Sequence, residues 1–234
     1  MIDLVGVVVP AANEADLLGG CLDAIREARR ALRRRWPRLG VRVVVVLDSC
    51  TDATADVASC YVDVETVTVS DGRVGAARAA GAGRVLRETA LPNRSVWLAN
   101  TDADSRVRPD WLIGMVEFAR TGADLVIGTV LPGPGLPLEI ERRWRAEHVL
   151  SEGHPHVHGA NLGIRGDVYA GLGGWPALAT GEDAALVRRA NAAGHLSLIR
   201  TASLPVYTSV RADGRAPGGF SSYLRGLAAV TASS

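Results

Sequence analysis

The sequence contains no lysine; all 26 of its basic residues are arginine. That excludes Schiff-base chemistry through a lysine amine and phosphate binding by a P-loop lysine. With abundant Ala, Gly and Val it is the residue usage of a GC-rich genome. Aromatic residues make up only 5% of the chain, too few for a base-stacking platform, and a formal charge of +1 provides no field for a polyanion, so no nucleic acid partner is expected. Cysteine is scarce: Cys21, Cys50 and Cys60 form no CxxC pair, which points to reduced, mostly buried thiols in a cytoplasmic protein. The opening "MIDLVGVVVP" lacks a basic leader and a cleavage site. No apolar run reaches the ~18 residues of a membrane span. A soluble, cytoplasmic chain without a transmembrane segment is expected.

What is present is a core-forming composition, 47% hydrophobic over 234 residues, enough for one large domain. Apolar, β-branched runs alternate with amphipathic stretches. "LVGVVVP" (4–10) and "VRVVVVL" (41–47) are nearly continuous, as in strands of a parallel sheet covered on both faces. "VDVETVTV" (62–69), "SVWLAN" (95–100) and "ADLVIGTV" (123–130) predict three more strands. Between the first two, Leu18, Cys21, Leu22, Ile25, Ala28 and Leu32 fall on one helical stripe, with Asn13 and Asp16 resembling a capping box. Further helices are predicted near 52–60, 75–88, 109–121, 138–151, 182–193 and 218–230. Strand alternating with helix implies βαβ units and an α/β fold. "GTVLPGPGLPLE" (128–139) divides the chain at residue 128 into a regular first half and a second half dominated by loops and helices.

In open parallel sheets ligands sit beyond the carboxyl ends of the strands, so polar residues directly after apolar runs are the candidates. "VVPAANEADLL" leaves the first strand through Pro10 and Ala11 to Asn13 and Glu14; a turn and a helix cap explain it as well as a ligand does. In "VVVVLDSCTDATADVA", Ser49 with Asp52, or Thr51 with Thr54, can serve as the helix cap, which makes Asp52 structural, while Asp48 is left over and can accept a base N–H or a ribose hydroxyl. "DGRVGAARAAGAGRVL" places Arg78 near a loose helix start that suits a diphosphate, although Gly/Ala-rich helices usually just pack closely. "TDAD" sets Asp102 and Asp104 at a strand end, where two close carboxylates repel unless a hard divalent ion such as Mg²⁺ or Mn²⁺ lies between them. In "GGWPALATGEDAALVRRANAAGH", Glu182 and Asp183 start a helix; Thr180 with Asp183 would make a capping box, and a carboxylate there also suits a general base for a hydroxyl.

These five clusters, in this order over residues 4–195, resemble the family 2 glycosyltransferases of GT-A fold. "VVVPAANE" is similar to the family's PxxNE segment, "LDSCTDAT" to its DGSTD, "GAARAAG" to its GxxxARN-type helix, "TDAD" to its DxD and "GGW…GED" to its acceptor-side ED. The resemblance implies a single GT-A domain with a mostly parallel, Rossmann-like sheet: a nucleotide-sugar half over 1–127 and an acceptor half over 128–234. By it, Asp48 would meet the donor's nucleobase with Pro10, Ala11, Asn13 and Glu14 nearby. Arg78 would face the diphosphate, Asp102 and Ala103 would also meet the donor, and Asp104, helped by Asp102, would hold Mg²⁺ or Mn²⁺. Asp183 would be the catalytic base with Glu182 supporting acceptor binding, and His158, Gly159, Asn161 and Trp175 would line the acceptor pocket. The expected partners are a UDP-, GDP- or dTDP-sugar and a small-molecule, lipid or glycan acceptor; association with a second copy of the chain is left open.

Leu47 precedes Asp48 where many relatives carry a second Asp, which leaves base preference open. The QxxRW segment of processive synthases is absent, so transfer of a single sugar is expected. A sugar-nucleotide pyrophosphorylase would need a Gly-rich loop after the first strand and a substrate-binding lysine, and neither is present. A sensor that binds donor without turnover is the remaining alternative. "HPHVH" (154–158) fits acceptor-loop hydrogen bonding better than zinc, because Pro155 interrupts the run. The arginines of "RRALRRRWPR" (29–38) suit a solvated helix end or a peripheral contact with anionic lipid at the inner membrane face. The Arg- and Gly-rich "YTSVRADGRAPGGFSSYL" reads equally as a lid or as a surface tail.

Overall fold

A computed structural model describes residues 1–211. The predicted helix at 218–230 and most of the Arg/Gly loop lie outside the described residues. The chain runs β1 (Leu4–Ala11), α1 (Ala15–Arg35), β2 (Gly40–Asp48), α2 (Thr54–Ser59), β3 (Glu65–Val69), α3 (Val74–Arg87), β4 (Val96–Asn100), β5 (Ser105–Arg106) and α4 (Trp111–Arg120). It continues through β6 (Leu125–Pro132), α5 (Leu138–Glu147), β7 (Leu162–Arg165), α6 (Gly166–Gly171), α7 (Glu182–Ala193) and β8 (Leu198–Thr208).

One eight-stranded sheet has the order β3-β2-β1-β4-β7-β6-β8-β5. β1 pairs parallel with β2 and β4, β2 with β3, and β6 with β8; β7 is antiparallel to both of its neighbours and β5 to β8. The continuous apolar runs follow from burial on both faces. Val5, Val7 and Val9 of β1 enter the core beneath α1 and α4, whereas Leu4 and Val8 enter the one beneath α3 and α7. The α1 stripe from Leu18 to Leu32 is buried throughout, and each large side chain there contributes ~1.5–3 kcal/mol. α3 is Gly/Ala-rich because it lies flush on the sheet: a Cβ on Gly81 would meet Val8 Cγ1 at 2.5 Å.

The second half departs from expectation. Beyond the end of β6, which the sequence predicts, it adds two strands, β7 and β8, the latter the longest in the sheet, where mainly loops and helices are expected. The thiols also differ: Cys21 is buried, but Cys50 is half-buried and Cys60 exposed. At the end of α1, Arg29 joins Arg26 on Asp63, and Trp36 lies between the guanidinium groups of Arg35 and Arg120. Among the described residues no helix is long and apolar enough to cross a membrane.

Candidate active site

β1 runs between β2 and β4, so the connections leaving its carboxyl end diverge and open a crevice. There the structure has a cavity of about 800 Å³. Pro10, Ala11, Asn13 and Glu14 line it from the end of β1, Asp48 from the end of β2, and Asp102, Ala103 and Asp104 from the turn after β4. Arg78 of α3 lines it from below, and His158, Gly159, Glu182 and Asp183 close the far side.

Both loops nearest the sheet are held in left-handed backbone at non-glycine residues, Asn13 (φ 53°) and Ser49 (φ 54°). Asn13 does not cap α1. Its Oδ1 accepts the backbone N–H groups of Thr51 (2.7 Å) and Asp52 (3.2 Å), tying the β1–α1 loop to the β2–α2 loop. The α1 start is served from across the gap: Glu14 N–H donates to Thr54 Oγ1 at 2.7 Å and Ala15 N–H to Asp52 Oδ2 at 3.1 Å. Asp52 is therefore structural. Asp48 is buried, and its carboxylate accepts the N–H groups of Gly72 (2.9 Å) and Arg73 (3.1 Å), so the loop before α3 is fixed to the end of β2.

Arg78 is the hub. Its Nη2 lies 2.5 Å from Asp102 Oδ1 and its Nε 3.2 Å from Glu182 Oε1. The guanidinium faces the Trp175 ring at 5.4 Å, and Nη1 is buried without a protein partner among the described residues. A Cβ on Gly159 would stand 2.7 Å from Arg78 Nη2, so a larger residue there would push the guanidinium from its present place. Burial pushes the Asp102 carboxyl upward, opposed by Arg78 and reinforced by Asp104. Asp102 still shows 37% of its side chain to the cavity, so water screens part of that effect. Glu182 is pushed upward by burial, opposed by Arg78 and reinforced by Asp183.

Asp183 forms no capping box with Thr180; the residue before α7 is Gly181 in left-handed backbone. The Asp183 carboxylate instead accepts Gly159 N–H at 2.8 Å and Ala184 N–H at 2.7 Å, and it stands on the cavity wall. Glu182 points to Arg78 and not to the acceptor side.

Two predicted acceptor residues do not line the cavity. Asn161 is fully buried: its side chain accepts Trp111 Nε1–H at 2.9 Å and donates to the carbonyls of Thr129 (2.8 Å) and Leu204 (2.7 Å). Trp175 is buried in the core on the α3 side, supporting Arg78 from behind. The histidines do not converge as a zinc site would require. His148, His154, His156 and His158 stack in a ladder with ring centroids 5.0–6.0 Å apart, and Trp144 lies against His148 at 4.3 Å. Only His148 and His158 of the ladder reach the cavity. Sequence reasoning missed the site contributions of β8: Thr208, Ser209 and Arg211 all contact Asp104. Arg211 belongs to the stretch that reads equally as a lid or a surface tail, and its spacing from the other motifs carries no signal.

Counting imidazoles as neutral, the described lining residues carry six carboxylates (Glu14, Asp48, Asp102, Asp104, Glu182, Asp183) against two arginines (Arg78, Arg211). Among the described residues no group of three or more His, Cys, Asp or Glu side chains is placed to hold a metal ion. Asp102 and Asp104 nevertheless fit Mg²⁺ or Mn²⁺ of the kind bound by one or two carboxylates, with water and substrate phosphates supplying the other oxygens. An excess of carboxylates of this kind disfavours a bare anion, an effect that a bound cation would offset.

A mostly parallel α/β sheet with this acidic crevice at its switch point is a GT-A fold. The sequence matches the family model of glycosyl transferase family 2 over residues 6–172, and the chain belongs to that family. The structure is similar to S. aureus TarS 1–349 in complex with UDP-GlcNAc, with a TM-score of 0.65, 17% identity, and coverage of 98% of this chain and 66% of that one. It is also similar to glucosyl-3-phosphoglycerate synthase from Mycobacterium tuberculosis in complex with Mn²⁺, UDP and phosphoglyceric acid (TM-score 0.58, 18% identity, 97% of this chain and 78% of that one). The same synthase with Mg²⁺ and UDP gives 0.57 at 18% identity, covering 97% and 79%. At these identities the likeness carries the fold, and the chain spans just under two thirds of the TarS fragment. No curated protein matches the sequence.

Proposed function

We propose that this chain transfers one sugar from a nucleoside-diphosphate sugar to an acceptor hydroxyl, with inversion at the anomeric carbon and assistance from Mg²⁺ or Mn²⁺. The observation that carries this reading is the meeting of Asp48, Asp102, Asp104 and Asp183, far apart in sequence, on one cavity. The donor lies over the 1–127 half, its base toward Asp48. The acceptor enters from the 128–234 half, past His158 and Gly159.

Asp183 is the general base. Two backbone N–H groups fix its carboxylate, and lone pairs remain on both oxygens for an acceptor hydroxyl. The acceptor oxygen attacks the anomeric carbon opposite the nucleotide, its proton passes to Asp183, and the glycosidic electrons leave with the diphosphate. Glu182, buried on Arg78, cannot take that proton in its place. Arg78 holds Asp102 toward the leaving-group side. When bound at Asp102 and Asp104, the divalent ion supplies Lewis-acid neutralisation of the departing diphosphate.

The test compares wild type with Asp183→Asn on UDP-, GDP- and dTDP-sugars. The variant keeps donor binding and loses ~10²–10⁴-fold in kcat. Turnover in neither protein would leave the sensor reading standing, and a product that retains the donor's anomeric configuration would exclude direct displacement.

A further inference from the structure

Asp104, on which the metal reading rests, already carries a cation. Arg211 Nη2 is 3.1 Å from its Oδ2. The same guanidinium forms a two-pronged contact with Glu14, Nη1 to Oε2 and Nη2 to Oε1, both at 2.7 Å. Fork-on-fork pairing of this kind is directional and stronger than a single charged hydrogen bond. Ser209 Oγ donates to Asp104 Oδ2 at 2.8 Å and Thr208 Oγ1 to Oδ1 at 3.3 Å. Thr208 at the end of β8, with Ser209 and Arg211 just beyond it, thus brings three polar contacts to one carboxylate. Side-chain exposure is 27% for Arg211, 9% for Glu14 and 15% for Asp104, so solvent only partly screens the cluster.

Asp104 Oδ2 already accepts both Ser209 Oγ–H and Arg211 Nη2–H, which takes up its two lone pairs. A divalent ion bonding that oxygen must therefore displace one of them, and like charge makes the guanidinium the one to leave. We infer that Arg211 is a built-in placeholder: it occupies the cation position at Asp104 while the cavity holds no donor, and it gives the position up when metal and diphosphate enter together. The inference rests on the proposed metal role of Asp104. Metal alone must displace an arginine held by two carboxylates. A diphosphate changes the balance, because it offers both the metal and the released guanidinium an anion. Metal and nucleotide therefore bind cooperatively, and by linkage each strengthens the other to the same degree.

The experiment measures Mn²⁺ binding to the full chain by the paramagnetic resonance signal of free Mn²⁺, alone and with UDP, GDP or dTDP. Thermal melts confirm that each variant is folded. Arg211→Gln binds Mn²⁺ alone tighter than wild type by on the order of tenfold, about 1.4 kcal/mol, and gains less from nucleotide. Arg211→Lys keeps the charge, loses the fork and falls between the two. Arg84→Ala removes the same charge from the far end of α3, where Arg84 pairs with Glu65 and Glu88, and leaves Mn²⁺ affinity at the wild-type value. Equal Mn²⁺ affinity in wild type and Arg211→Gln, or an equal gain in Arg84→Ala, overturns the placeholder while nucleotide-promoted Mn²⁺ binding preserves the metal reading. Absence of Mn²⁺ binding to wild type with all three nucleotides overturns both.

Discussion

Replacing Arg78 by methionine tests whether the site is held together by one buried charge. The arginine side chain is 2% exposed and its partner Glu182 7%, whereas Asp102 retains 37%. Removing one member of a buried pair costs ~3–5 kcal/mol because the other charge is left uncompensated. That weight falls mainly on Glu182; the Asp102 contact is closer but partly screened by water and contributes less. Methionine keeps most of the aliphatic stem, so the loss comes mainly from the missing guanidinium, which faces Trp175. Glu182 can escape by taking a proton. Burial already pushes its carboxyl upward, and Arg78 is the principal group opposing that. Without Arg78 the folded-state value rises further above the unfolded one. A carboxyl shifted this way contributes stability below its unfolded value and loses it as pH rises through the folded value. Urea unfolding should therefore show the variant less stable by about 3 kcal/mol near neutral pH, with a clearly smaller deficit near about pH 5. A deficit under ~1 kcal/mol would place the contact among ordinary surface pairs, and an equal deficit at both pH values would remove Glu182 from the explanation.

Two further outcomes follow. Asn161→Ala leaves Trp111 Nε1, Thr129 O and Leu204 O without their partner, and should cost about 3 kcal/mol in thermal or urea unfolding while leaving the acceptor KM of the folded protein unchanged; a raised KM with wild-type stability would return Asn161 to the acceptor site. Burial pushes the His158 imidazole from 6.5 down to about 4, its histidine neighbours reinforcing this and Asp183 opposing it. Its contribution is fully present above the unfolded value and is lost as pH falls toward the folded one, up to ~3 kcal/mol and nearer ~2 with cavity water screening. His158→Asn should flatten the acid limb of the melting-temperature profile, and an identical limb would refute the assignment.

What the sequence reveals about this site is set by where carboxylates follow apolar runs. Asp48, Asp102 and Asp104 are legible because the first ends, and the other two closely follow, a strand that is buried on both faces. Asp183 was legible from its place in the first turn of a helix. Asn161 and Trp175 misled because a polar or aromatic residue in a glycine-rich segment looks the same whether it faces a ligand or the core. The four residues of β7 are too short to show a period, yet their insertion between β4 and β6 turns Asn161 inward. β8 was hidden by its own irregularity. The register with β6 slips between Gly128 and Val130, and Ser203 and Pro205 sit in the part of β8 opposite that slip, where a strand tolerates proline. The capping boxes fail for different reasons: at α1 the donors are met by the distant Thr54 and Asp52, and at α7 the cap position is Gly181 while Asp183 accepts the N–H of Ala184 beside it.

The meeting of Asp104 and Asp183 on one cavity depends on α3. The helix packs on β1 and β2 through Gly81, and its first turn reaches the segment before α7 through Gly75, whose N–H donates to Leu178 O at 3.0 Å. No side chain fits at Gly75, since a Cβ would fall within the radius of Pro176 O. Arg78 lies one turn further along the same helix and bonds to both sides: Asp102, carried by β4, and Glu182, carried by α7. The helix dipole does not explain this placement, because the basic residue stands near the positive end. The two carboxylates do, and their attraction offsets the unfavourable position. A guanidinium there fixes the spacing between the donor-side turn and the helix that presents Asp183, so the distance across which a sugar would pass is set by one residue. Lysine at position 78 would keep the charge but lose the planar fork that reaches Asp102 and Glu182 at once.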